Sequence, residues 1–458
     1  MTRSWLLMAS LALTLCACHG PGPVAESPAA RRPNFLVLVT DDQRLDAIGF
    51  AGHPLLQTPH MDSLAQQGVW FDQAYVTTPI CAASRASFLT GQWERAHGFT
   101  FGAPALDAET VADTYPSVLR AAGYRTGFVG KFGVKVVPGS TQAMFDVMRG
   151  SGHPYDKADG RHLTNIVGER AIEFLEGSSA EEPFCLSISF HAPHAQDGHP
   201  DQYIWPDACD ELYTDAVIPP PDTCDPAFFE ALPEFLRESM NRDRWFWRFD
   251  TPEKHATMVK GYYRMVSGVD MALGRILAKL EELELADNTV VLLMGDNGYF
   301  LGERGYAGKW SMHDLSTRVP FVIYDPRDPR ARRSDEFVLN VDLAPSLLDY
   351  AGVAIPASMQ GQSLRPLLAG KRHASRDEVY TEHRWPHPRI PRTEGLRTRD
   401  WKYIRYLDHS EYEELYDLRA DPREEHNLAE DPQHTERLGV LRARCLELGE
   451  SYERSATE

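Results

Sequence analysis

The feature that most constrains this chain is an unbroken apolar run, Asn34-Phe35-Leu36-Val37-Leu38-Val39, that stops at Thr40-Asp41-Asp42. A run without polar alternation is a strand buried on both faces, the situation of a parallel strand covered by helices. Its carboxyl end is where an α/β sheet gathers ligands. A second run, Thr289-Val290-Val291-Leu292-Leu293-Met294, ends in Gly295-Asp296-Asn297-Gly298 and repeats the arrangement, so the two acidic strand ends are expected to meet. Between them, helical patterns at Thr114 to Gly123 and His162 to Glu176 alternate with strands at Thr126 to Val129 and Phe184 to Phe190, which predicts an α/β sandwich. The stretch from Gln196 to Arg248 is dense in Pro, Asp and aromatics and has no period. It reads as a long insertion over the sheet, and loops of that length are often functional lids. After Gly370-Lys371-Arg372 the alternating stretches Glu378 to Thr381 and Trp401 to Tyr406 predict a small antiparallel sheet.

The composition suits this plan. Of 458 residues, 43% are hydrophobic and 25% charged, which excludes disordered and fibrous classes. A net charge of -19 opposes nucleic acid as a partner, because phosphate binding needs clustered Lys and Arg. An anionic substrate must then meet positive charge concentrated in a cleft. At the N-terminus, Arg3 and the apolar run Trp5 to Leu15 have the layout of a secretory signal too short to span a bilayer. Leu15-Cys16-Ala17-Cys18 is similar to a bacterial lipoprotein processing site with Cys18 acylated; plain signal cleavage nearby is the alternative. The chain divides into a signal (1–18), a Pro, Gly and Ala tether (19–32), a large domain (33–370) and a C-terminal subdomain (371–458). This layout predicts export to a bacterial periplasm or outer-membrane surface, with membrane contact only through a lipid on Cys18.

Beyond the signal, five cysteines remain, Cys81, Cys185, Cys209, Cys224 and Cys445, an odd number for an oxidising compartment. Cys209 and Cys224 flank a Pro-rich loop and are candidates for a disulfide, whereas Cys185 sits in an apolar strand and is expected in the core. Cys81 opens the stretch Cys81-Ala82-Ala83-Ser84-Arg85-Ala86-Ser87-Phe88-Leu89-Thr90-Gly91, which leads into an expected helix. A helix N-terminus suits an anionic nucleophile or substrate. On the residues alone, Cys81 is open to three readings: thiolate nucleophile, metal ligand or buried thiol. Asp41, Asp42, Asp296 and Asn297 form an all-oxygen set that suits calcium or magnesium rather than zinc. Each pair alone is equally a turn or a cap.

The C-x-A-x-R pattern from Cys81 to Arg85, closed by Leu89-Thr90-Gly91, resembles the signature of the type I sulfatases, in which a maturase oxidises the cysteine to formylglycine. Ala83 stands where Pro is more frequent. The resemblance continues through Lys131 in Gly130-Lys131-Phe132-Gly133, His194 in His191-Ala192-Pro193-His194, Lys309 in Gly308-Lys309-Trp310 and Arg318-Val319-Pro320, then Asp342 to Leu348 and Glu414 to Leu418. It covers nearly everything after residue 33. It implies an alkaline-phosphatase-like α/β sandwich with a mixed, mostly parallel sheet and a small antiparallel C-terminal sheet with a helix. It also implies one calcium ion held by Asp41, Asp42, Asp296 and Asn297 together with the nucleophile made from Cys81. Arg85, Lys131, His194 and Lys309 take the sulfate-binding and proton-transfer positions. One departure stands out, since many sulfatases carry a His two or three residues after the first Lys, where this chain has Gly133 and Val134. His191 or His162 is expected to stand in, unless the metal and lysines suffice.

The resemblance implies sulfate ester hydrolysis: one hydroxyl of hydrated formylglycine attacks sulfur, His194 or Lys309 protonates the leaving alcohol, and the second hydroxyl expels sulfate. For the substrate, Asn241 to Arg248 and Glu382 to Arg389 supply Trp faces for sugar rings and Arg forks for carboxylate or sulfate. A sulfated carbohydrate fits, uronates included, with His191, Arg244, Trp247, His383 and Arg384 as contacts; loop packing is the alternative. The rival readings are phosphodiester or phosphonate monoester hydrolysis on the same fold, and a catalytically silent carbohydrate-binding lipoprotein.

Overall fold

The computed structural model describes residues 31–151, 161–370 and 376–454. The expected signal, Cys18 and nearly all of the tether lie outside the described residues. Eight strands form the large sheet: β1 (Asn34–Thr40), β2 (Val69–Tyr75), β3 (Arg125–Gly130), β4 (Val147–Gly150), β5 (Phe184–Ser189), β6 (Thr289–Gly295), β9 (Phe321–Tyr324) and β10 (Arg332–Leu339), with a short hairpin β7 (Phe300–Leu301) and β8 (Ala307–Gly308) between. Their order is β10-β2-β9-β6-β1-β5-β3-β4. β9 runs antiparallel to its neighbours β2 and β6, and the other pairings are parallel.

The period of two along β1 explains why the run is apolar throughout. Leu36 and Leu38 face one core with Val167, Ala171, Val266 and Leu273 from the helices Leu163–Glu176 and Pro252–Glu282. Phe35, Val37 and Val39 face the opposite core with Ala82, Ala86, Leu89 and Leu347. Burying each large side chain contributes roughly 1.5–3 kcal/mol, so both faces specify the strand and its register.

The insertion differs from the aperiodic loop read in the sequence. It contains the short helices Pro226–Glu230, Glu234–Arg237 and Met240–Arg248, too short for a helical period to emerge. The C-terminal part is a four-stranded antiparallel sheet, β11 (Glu378–His383), β12 (Thr393–Thr398), β13 (Trp401–Tyr406) and β14 (Glu413–Asp417). The helix Thr435–Arg454 covers it through Leu438, Leu441 and Cys445. Cys185 lies in the core of β5 as expected. Cys209 and Cys224, the candidates for a disulfide, are both free thiols: the Cys224 thiol donates to Gly302 O at 2.9 Å, while Cys209 Sγ lies 4.0 Å from Met271 Sδ. The two side chains turn to different elements.

Candidate active site

β1 and β6 pair with Thr40 opposite Gly295, so the chain leaves both strands at one level. Asp296 N–H donates to Thr40 O at 2.9 Å, and Asp42 N–H to Asp296 Oδ1 at 3.2 Å. Asp42 sits at φ 62°, a left-handed conformation that a short polar side chain tolerates. Its Oδ1 accepts from Asn297 Nδ2 at 2.6 Å. Residues Asp41, Asp42, Asp296 and Asn297 are at most 1% exposed.

The helix Cys81–Thr90 starts at this point, with extended Ile80 before it and Gly91 at φ 67° ending it. Arg85, one turn after Cys81, shares its face. Its Nε donates to Asp296 Oδ2 at 2.9 Å and its Nη1 to Lys131 O at 2.7 Å and to Ser189 Oγ, while Nη2 pairs with Asp41 at 3.5 Å. The guanidinium, 1% exposed, orders Asp41 and Asp296 beside Cys81.

Lys131 follows Gly130, where a Cβ would lie 2.0 Å from Ser189 O; only glycine lets β3 approach there. Lys131 Nζ pairs with Asp41 and lies 3.8 Å from Cys81 Sγ. Lys309 Nζ bonds Asp42 Oδ1 and lies 3.6 Å from Asp41 Oδ1. His194 Nε2 is 3.7 Å from Asp42 Oδ2, and its Nδ1 meets Ala195 O at 2.5 Å. Burial alone would raise Asp41, but Lys131, Lys309 and His194 hold it well below the usual carboxylate range. Burial would lower Lys309, yet Asp42, Cys81 and Asp41 outweigh it and keep the amine protonated well above its ordinary value. Burial brings His194 down to about 4 against the pull of Asp42. Burial, then Asp41, push Asp296 up to about 6 in spite of Arg85.

Asp41 Oδ1, Asp42 Oδ2 and Asn297 Oδ1 are buried oxygens without a hydrogen-bond donor. Such atoms are costly to bury, and a hard divalent cation satisfies them. Asp41, Cys81 and Asp296 bring ligand atoms within 4.8 Å of one another, as do Asp41, Asp42 and His194. The donor set therefore fits a cation beside Cys81.

Gly133 sits at φ 70°, and a Cβ there would lie 2.9 Å from Arg85 Cδ, so this loop is folded over the Arg85 stem where a histidine is common. His162 does not stand in. It caps the helix Leu163–Glu176, its Nδ1 accepting from Thr164 N–H at 3.1 Å and its Nε2 meeting Ile204 O at 2.8 Å. His191 lies buried at the base of the His194 loop, 3% exposed.

Of the expected substrate contacts, Trp247 is 42% exposed on the helix Met240–Arg248, and the Arg244 guanidinium lies 4.6 Å over the Trp310 ring, next to Lys309. Arg384 remains partly exposed, 3.8 Å from Glu382. His383 is corrected: it is 0% exposed inside β11, with no surface for a sugar, and burial, aided by His387, brings it down to about 3. Three residues were not anticipated from the sequence. Ser189 holds Arg85, Asn241 donates to Lys309 O at 2.9 Å, and Asp197 pairs with both Arg244 and Arg248. An acid three residues after His194 was the available signal for Asp197; Ser189 and Asn241 had none, being identifiable only by what packs on them.

A family model described as Sulfatase matches residues 33–353, and one described as N-sulphoglucosamine sulphohydrolase, C-terminal, matches residues 302–451. The chain is similar to an N-acetylglucosamine-6-O-sulfatase of Bacteroides thetaiotaomicron, 29% identical over 93% of this chain and 87% of that protein. It is also similar to an arylsulfatase of Clostridium perfringens, 28% identical over 93% of this chain and 96% of that protein. Among solved structures, one in complex with its substrate D-glucosamine-2-N,6-O-disulfate superimposes with a TM-score of 0.80 at 26% identity, covering 93% of this chain and 99% of that one.

Proposed function

The chain belongs to the sulfatase family and is a sulfuric ester hydrolase, and on that premise we propose that it removes sulfate from a sulfated carbohydrate with a formylglycine made from Cys81 and one calcium ion. The observation that carries this reading is the convergence of Asp296 and of the donor-free buried oxygens of Asp41, Asp42 and Asn297 on the first turn of the helix that starts at Cys81. When present, the matured residue 81 supplies the nucleophilic oxygen, and the cation draws charge from it and from the sulfate.

The chain's own residues account for the rest. Lys131, 3.8 Å from Cys81 Sγ, places a fixed positive charge beside the nucleophile, where preorganised charge favours an anionic transition state. Arg85 keeps Asp41 and Asp296 in register through its paired donors. Of the two acid candidates, Lys309 is the one held protonated at neutral pH, by Asp42 first, and His194 is held neutral by burial. Lys309, bonded to Asp42 Oδ1, and His194, 3.7 Å from Asp42 Oδ2, are the two groups placed to give the leaving alcohol its proton. Export and lipidation at Cys18 belong to the same proposal, as does dependence on a maturase.

The test is the mass of the peptide carrying Cys81 after expression with a maturase, together with sulfate release from sulfated glycans, using Cys81→Ala as control. An aldehyde mass and release abolished by the substitution are expected. An unmodified thiol under maturing conditions, or equal release by both proteins, would refute the proposal. Parallel turnover of an aryl phosphodiester separates the phosphonate and phosphodiester reading, which a preference for the diester would favour.

A further inference from the structure

The expected role of Arg244 was to fork a substrate carboxylate or sulfate, and the structure gives that fork another partner. Arg244 and Arg248 both pair with Asp197, and Arg248, 0% exposed, also donates to Tyr299 Oη at 2.9 Å. Arg244, Trp247 and Arg248 stand at i, i+3 and i+4 of the helix Met240–Arg248 and so share one face. The Asp197 carboxylate lies on that face, with 37% of its side chain still exposed.

This group borders the reacting centre. Arg244 lies over Trp310, the residue after Lys309. Asp197 stands three residues after His194 on the same loop.

A carboxylate has about four lone-pair sites. The arginines engage one oxygen each, and the exposed edge keeps acceptor capacity facing outward. An acceptor that cannot donate asks for hydroxyl or amine hydrogens, and it repels a second carboxylate. Beside it, Trp247 presents 42% of its surface with its ring 5.8 Å from the Arg248 guanidinium carbon. A flat aromatic face next to a fixed planar acceptor matches a sugar ring, whose C–H face stacks while its hydroxyls donate.

We infer that Asp197 is a specificity-determining residue: fixed by Arg244 and Arg248, it accepts hydrogen bonds from free hydroxyls of the sugar that bears the sulfate, with Trp247 as the platform for that ring. The wall selects a hydroxyl-bearing, uncharged or amino sugar over a uronic acid or an aryl group. This rests on the sulfatase reading above.

The test uses the matured full-length enzyme and three substrates: 6-O-sulfated N-acetylglucosamine, a 2-O-sulfated uronic acid disaccharide and 4-nitrophenyl sulfate. The wild type should prefer the amino-sugar sulfate. Asp197→Asn keeps the shape but weakens the acceptor, and Trp247→Ala removes an exposed ring without opening the core. In each, the ratio of kcat/KM for the amino-sugar sulfate to that for the aryl sulfate should fall about tenfold or more, chiefly through KM. Unchanged ratios in both variants, whether activity falls or not, would make Asp197 a structural tie and overturn the inference. So would a wild-type preference for the uronic acid or aryl substrate. A wild type that hydrolyses none of the three while cleaving a phosphodiester would overturn the parent reading, and the inference with it.

Discussion

The floor and the wall of this active site are built by different means. The floor, Asp41, Asp42, Asp296, Asn297 and Cys81, stands on two adjacent parallel strand ends and one helix start, all buried and fixed by backbone register. The wall, Asp197, Arg244 and Trp247, stands on the insertion, which meets the C-terminal loop through Met240 N–H on Arg389 O and the Asp243–Arg389 ion pair. The floor thus holds the chemistry constant while the wall is free to change the substrate, since positions on loops carry variation that strand ends do not.

The sharpest way to break the comparison is Cys81→Ala. Sulfate release should fall by roughly 10³-fold or more, while the urea midpoint changes by an amount worth about 1 kcal/mol or less. A large loss of stability would make Cys81 a packing residue. Arg85→Met is next. It leaves Asp41 and Asp296 buried without their shared cation, so stability in the presence of a chelator should fall by about 3–5 kcal/mol, read by urea unfolding, with activity lost as well. An unchanged midpoint would show that the floor does not need Arg85.

The same contrast decides what was legible in the sequence. Asp41 and Asp296 were readable because each ends an apolar run, and the register that joins Thr40 to Gly295 follows from burial on both faces. The alternating C-terminal stretches were readable for the same reason, as β11 and β13 pack one face on the helix Thr435–Arg454. The insertion was not, because its helices are short and its order comes from contacts such as Asn241 on Lys309 O and Met240 N–H on Arg389 O at 2.9 Å. Arg85 was found through its place one turn after Cys81, but its bonds to Asp41 and Asp296 were not legible, since a sequence does not show which acids a guanidinium meets. His383 was misplaced because the end of β11 is buried on both sides, with Glu382 and His383 both 0% exposed, where a polar run reads as surface.

Asn241 tests a hydrogen bond that ties the insertion directly to Lys309. Its amide supports the Lys309 carbonyl, and Gly308, at φ 138°, leaves room where a Cβ would lie 2.3 Å from Asn241 Oδ1. Asn241→Ala should lower kcat roughly tenfold, with stability reduced by about 1–2 kcal/mol, and leave KM for an aryl sulfate nearly unchanged. An effect on KM alone would place Asn241 in the wall rather than behind the floor.

The smallest expected effect is a pH response that does not occur. Burial would raise the Asp197 carboxyl, but Arg244 and Arg248 outweigh it and hold it down at about 2. A carboxyl depressed in this way contributes its stabilisation fully above the ordinary value of about 4 and loses it only as the pH falls through about 2. His194, held at about 4 by burial, likewise stays neutral throughout the working range. The preference for an amino-sugar sulfate over an aryl sulfate, measured as a ratio of kcat/KM so that the chemistry cancels, should therefore vary less than about twofold between pH 5 and 8. A ratio that falls as the pH drops from 7 to 5 would mean that the arginines do not keep Asp197 ionised, and that the wall is looser than the paired geometry of Arg244, Arg248 and Asp197 implies.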